Sequence, residues 1–144
     1  MPVAVRSQGV RGPARALRAD GVALLRLLGR PTAELSVLLC DDAFIASLNQ
    51  QYRGKEGPTD VLSFAMDDEV LGDVVVSLDT ARRQAASLGH PVDVELRVLL
   101  VHGLLHLFGH DHEAPGDDAR MAAEEARCLR ALGVSEPGLV GRAL

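Results

Sequence analysis

Pro91 and Gly109 bracket a stretch, Val92 to Phe108, whose only internal helix breaker is Gly103 and which is apolar at most positions. About 17 residues make ~25 Å of helix, the width of a small domain. Pro91 pre-sets the φ of a first turn, and Gly109 lets the chain turn away after the last one. The stretch reads as one long amphipathic helix, central enough that the other elements must pack around it. The chain has 144 residues, 47% of them hydrophobic and 24% charged. That is one globular domain, residues 1–144, rather than a disordered or membrane-embedded chain.

The remaining elements follow from periodicity and punctuation. Val3–Arg6 is a short strand, and Gly9–Pro13 breaks it. Ala14–Leu28 spaces Leu17, Val22, Leu25 and Leu28 as a helix does, and Gly29 and Pro31 stop it. Glu34–Cys40 reads as a buried strand, and Asp41 caps a helix to about Gln51. A polar loop, Tyr52–Asp60, follows. Val61–Met66 and Val70–Ser77 form a hairpin around Asp67 and Asp68. Asp79 caps a helix through Leu88 that Gly89 ends, and Asp117–Leu132 is a last helix with a solvated face at Glu124, Glu125 and Arg127. The expected fold is therefore α+β (mixed α/β): a small mixed four-stranded sheet packed with helices, with a metal site at the end of the long central helix.

That metal site rests on histidines. Four of the five fall in His102-Gly103-Leu104-Leu105-His106-Leu107-Phe108-Gly109-His110-Asp111-His112. Residues four apart on a helix differ by roughly 40° and ~6 Å of rise, which lets His102 and His106 reach one ion at ~2.0–2.1 Å. His110, a further turn on, would stand ~12 Å from His102, too far for a shared ion. His112, beyond the turn at Gly109, is the better third ligand. A lone histidine, such as His90, is more often a packed or solvated one. Three imidazoles leave a coordination position open, as catalytic sites require, and their neutrality leaves the ion's charge undiminished to acidify a bound water. Zinc fits, although other divalent ions also accept three histidines.

The spacing H-x-x-x-H-x-x-G-x-x-H is also that of the metzincin proteases. In those enzymes a glutamate base follows the first histidine, and here Gly103 stands in its place. Peptide hydrolysis is disfavoured accordingly. The glycine instead lets another segment or a bulky substrate come close.

The same residues resemble the signature of the YbeY family of metal-dependent endoribonucleases, H-G-x-L-H-L-x-G-Y-D-H. Two more segments carry the resemblance: Leu48-Asn49-Gln50-Gln51-Tyr52-Arg53-Gly54-Lys55 with Pro58-Thr59-Asp60-Val61-Leu62-Ser63-Phe64, and Leu71-Gly72-Asp73-Val74-Val75-Val76-Ser77. It spans residues 34 to 113. The resemblance implies zinc at His102, His106 and His112, and Arg53 as a functional residue facing the metal. It implies single-strand-specific cleavage in the maturation of the 3′ end of 16S ribosomal RNA and in ribosome quality control. The implied partners are ribosomal RNA, the small ribosomal subunit, a small-subunit protein and an assembly GTPase. His110 replaces the family's usual tyrosine, and the first 30 residues match only loosely.

On that reading Arg53 clamps a phosphodiester through two parallel hydrogen bonds, Lys55 adds a phosphate contact, and His110 and Asp111 stand behind the ligands. Asp111 serves equally well as a cap for the turn. Asp60, Ser63 and Asp73 are capping and hairpin residues as readily as substrate contacts. A ribosome-assembly factor with a mainly structural metal and another zinc hydrolase are the competing classes. The net charge of −5 argues against bulk coating of nucleic acid, yet six arginines against one aspartate in the first 30 residues leave room for a basic groove. No apolar run is long enough for a membrane span or a secretory signal, and Cys40 and Cys128 read as reduced thiols. The expected location is cytoplasmic.

Overall fold

A computed structural model describes residues 2–67, 69–110 and 115–134. It contains β1 (Val3–Gln8), α1 (Ala14–Leu27), β2 (Glu34–Cys40), α2 (Asp42–Arg53), β3 (Val61–Ala65), β4 (Val70–Ser77), α3 (Leu78–Leu88), α4 (Val92–Leu107) and α5 (Asp117–Ala131). The sheet order is β1-β2-β4-β3. The first three strands in that order are parallel, and β3 returns antiparallel beside β4, with Val61 opposite Val76 and Ala65 opposite Gly72. This is the mixed four-stranded sheet the sequence leads one to expect.

Alternation along the strands divides the core in two. Leu35, Val37 and Leu39 of β2 and Val74 and Val76 of β4 face the main core, which α1, α3, α4 and α5 complete. Cys40, Leu62 and Val75 face the other way, towards Ile45 of α2. One face of the sheet thus carries four helices and the other a single helix.

Helix α4 is not amphipathic in its surroundings. Leu96, every residue from Val98 to Leu105, and Leu107 are buried, because the sheet, α1, α3 and α5 enclose it. Each such leucine contributes about 1.5–3 kcal/mol of burial, so this helix anchors the fold. Even its acidic Glu95 is inside, where Oε1 lies 2.8 Å from Nε2 of His90.

Several local expectations are corrected. Asp41 does cap α2, accepting from the Phe44 N–H at 2.9 Å. The cap of α3 is Ser77, not Asp79: β4 runs straight into the helix, so its last hydroxyl accepts from the Thr80 N–H at 3.2 Å. Asp79 lies in the first turn and accepts from the Asp42 N–H instead. Strand β1 runs to Gln8, paired with β2 along its whole length. On α5, Glu124 and Arg127 pair at the surface at 2.9 Å, but Glu125 is buried rather than solvated. Cys40 and Cys128 are buried thiols, pushed up by burial to about 12 and about 11 respectively. Among the described residues no helix is long and apolar enough to cross a membrane.

Candidate active site

The last two turns of α4 carry His102 and His106 on one face, as their spacing requires. Their Nε2 atoms converge to 2.9 Å, with ring centroids 4.5 Å apart and planes at 73°. His102 is only 2% exposed and forms part of the floor of a cleft of about 290 Å³, while His106 is half-buried. Arg53, Thr59, Val61, Leu62 and Ser63 complete the lining.

Arg53 reaches this cleft by a route the sequence reading missed. It is not a loop residue but the last residue of α2, since the helix continues until Gly54 takes φ +64° and ends it. The loop after it is tied down by Asn49, which donates from Nδ2 to the Gly57 carbonyl at 2.9 Å and accepts at its own carbonyl from Lys55 N–H. Lys55 is exposed on that loop and does not line the cleft.

Edge strand β3 forms the opposite wall. The Ser63 hydroxyl donates to the Gly103 carbonyl at 2.8 Å and so fastens the strand to α4. Gly103 faces this strand rather than any substrate: a Cβ there would stand 2.7 Å from Val74 Cγ1, 3.1 Å from Val61 Cγ2 and 3.2 Å from Ser63 Oγ. Of the two roles open to this glycine, close approach of another segment is the one observed. Asp60 accepts from Val61 N–H and from Gln84 Nε2, so its carboxylate braces the start of β3. Asp73 lies on the other face of the sheet.

His110 lines a separate small cavity with Gly109, Asp117 and Arg120. His112 and Asp111 lie outside the described residues. Among those described, no three histidine, cysteine, aspartate or glutamate side chains form a metal-holding group, and no carboxylate lines the cleft.

The pair His102–His106 nevertheless suits a cation. Two imidazole nitrogens on one tetrahedral ion stand roughly 3.3 Å apart at ~2.0–2.1 Å bonds, so these rings need part by only a few tenths of an ångström.

A cleft that joins two converging imidazoles to a guanidinium is suited to phosphodiester chemistry, and the family model of endoribonuclease YbeY matches residues 22–133. The chain belongs to the YbeY family. A YbeY endoribonuclease of Anaeromyxobacter sp. is 48% identical over all of this chain and 76% of its own length. The Aquifex aeolicus one is 50% identical over 69% of this chain and 70% of its own. An endoribonuclease YBEY of Arabidopsis thaliana, named as chloroplastic, is 44% identical over 78% of this chain but only 20% of its own length. A Thermotoga maritima protein known from a solution structure superposes with TM-score 0.62 over 94% of this chain and 99% of its own, at 25% identity. YbeY membership makes the activity that of an endoribonuclease. Neither a metalloprotease nor an assembly factor with a merely structural ion gains support, since the cleft's described lining offers no carboxylate base and the relatives are named as nucleases.

Proposed function

We propose that this chain cleaves single-stranded RNA in the 3′-end maturation of 16S ribosomal RNA and in ribosome quality control, using one divalent cation, zinc, held by His102, His106 and His112. The observation that carries the reading is that Arg53, from α2, lines the same cleft as the histidine pair of α4. When bound, the cation supplies Lewis acidity towards a phosphate oxygen and a water that deprotonates near neutral pH.

The chain's own residues do the rest. Arg53 presents a planar fork of N–H donors that grips two phosphate oxygens and stabilises charge gathering on phosphorus. Lys55 adds a cation beside the flanking phosphate. The buried position of His102 fixes its ring, and the Ser63 hydroxyl, donating to the Gly103 carbonyl, ties β3 to α4 beside the cleft. Asp111 and His110 are assigned to support around the ligands, with Asp111 as the hydrogen-bond partner of a ligand imidazole. The partners that accompany this reading are the small ribosomal subunit, one of its proteins and an assembly GTPase, in the cytoplasm.

The test is a zinc-replete cleavage assay on small-subunit rRNA precursor. Arg53→Ala keeps its zinc and loses cleavage by about 100-fold or more, the scale of losing one charge-stabilising donor. Wild-type cleavage by that variant would remove Arg53 from the chemistry. His106→Ala loses both zinc and cleavage, and stoichiometric zinc in it by elemental analysis would overturn the ligand set.

A further inference from the structure

The sheet face covered only by α2 has a second, larger cavity, an apolar groove of about 420 Å³. The chain has one tyrosine, three phenylalanines and no tryptophan. Three of these four aromatic rings, Phe44, Tyr52 and Phe64, line this groove. Tyr52 is 60% exposed, and Phe64 meets it edge-on with centroids 5.1 Å apart, which steadies the ring and leaves it accessible. Core packing does not require so exposed a ring.

The groove and the catalytic cleft meet at two pairs of consecutive residues. Tyr52 lines the groove and Arg53 the cleft, on the last turn of α2. Phe64 lines the groove and Ser63 the cleft, on the edge strand β3, where successive side chains point to opposite faces. Consecutive side chains leave a helix roughly 100° apart, so Tyr52 and Arg53 open on the two cavities from one turn of α2, and a strand gripped by Arg53 that rounds this helix end passes the Tyr52 ring. Arg6 and Asp73, also in the groove, add a donor and an acceptor for a base edge.

We propose that the Tyr52–Phe64 groove is a nucleobase subsite. It receives a base next to the cleaved phosphodiester of single-stranded RNA, stacked on Tyr52, after the strand rounds the edge of β3. The proposal rests on the RNA-cleaving reading above and adds what positions the substrate. Stacking needs an unpaired base, so the groove would also select single strands, and every base offers a π-face, so it would tolerate many sequences.

The test has two arms. In the first, Tyr52→Ala lowers kcat/KM on a single-stranded oligoribonucleotide by roughly 5- to 100-fold, mostly through KM, and Tyr52→Phe restores it. An abasic nucleotide beside the cleaved bond costs the wild type a similar factor and costs Tyr52→Ala little more. In the second arm, Tyr52 is the only fluorophore of its kind in the chain. With chelator present to prevent cleavage, a single-stranded oligoribonucleotide quenches it in the wild type and equally in His106→Ala. This arm decides the groove even if the cation assignment fails, because it requires no turnover. Unchanged fluorescence with RNA bound, or full cleavage by Tyr52→Ala, overturns the proposal and leaves the groove to a protein partner. An abasic penalty that persists undiminished in Tyr52→Ala overturns it as well.

Discussion

Gly103 sits where a protease would carry its base, and its surroundings show what the missing side chain makes possible. A methyl at this position meets Val74 Cγ1 at 2.7 Å and Val61 Cγ2 at 3.1 Å. Both belong to β-branched residues that are stiff at χ1 and held in buried strands, so neither swings aside cheaply. Alanine would recover up to ~1 kcal/mol of helix propensity but force β3 and β4 away from α4. Gly103→Ala is therefore expected to lose about 1–2 kcal/mol net, as overpacked cores do, and to widen the cleft. Urea midpoints measure the first effect; a midpoint equal to or above that of the wild type would show that the sheet yields freely. At this scale the histidine pair was legible because helical periodicity alone aligns residues four apart. Thr59, Val61 and Leu62 were not, since nothing in their types distinguishes lining a cleft from lining a core. His112 and Asp111 fall outside the described residues and stay with the proposal.

Three elements meet at Asp42, in the first turn of α2. Its Oδ1 accepts from the hydroxyls of Ser77 and Thr80 at 2.6 and 2.7 Å, and its Oδ2 pairs with Arg83 at 2.8 Å. Burial pushes this carboxyl up, but the bonds from Ser77, Thr80 and Arg83 together outweigh burial and hold it below its ordinary 3.8. A carboxyl depressed in the folded state stabilises the fold above its unfolded value and ceases to do so as pH falls through the folded one. Asp42→Asn is thus expected to lose about 1–2 kcal/mol at pH 7, with the gap to wild type closing as pH drops below about 4. Denaturation midpoints across that range measure it, and a gap independent of pH would show the loss to be steric. Element boundaries were legible where one residue type decides them, as with Asp41 and Gly89. They were misread where tertiary context chose between neighbours: Ser77 won over Asp79 because β4 enters α3 without a loop. Ending α2 near Gln51 instead of Arg53 had the largest consequence. It put the guanidinium on a loop, when a helix end in fact aims it at the cleft.

At the scale of the molecule, the mixed sheet and the central helix were legible because strand-like runs, turn residues and one long apolar stretch each stand apart in the chain. The meeting of α2 with α4 across β3 was not, since no local pattern encodes which element ends face each other. That arrangement makes the site and the core one structure. Helix α4 carries His102 and His106 and also buries Leu96, Leu99, Leu100, Leu104 and Leu105, so the two proposed ligands separate when the core opens. An ion bound only by the folded state adds RT ln(1 + [L]/Kd), which is about 2.7 kcal/mol at a hundred times Kd. For a chain of this length that raises Tm by roughly 8–10 °C. Thermal unfolding with and without zinc is expected to show this increment in the wild type and to lose most of it in His106→Ala. Leu100→Ala separates packing from coordination. It removes about 2–5 kcal/mol of core stability in both conditions and keeps the zinc increment, because it lowers the fold without touching a ligand. An undiminished increment in His106→Ala would place the ion away from α4. Loss of the increment in Leu100→Ala would mean that the histidine geometry itself depends on tight packing around the helix.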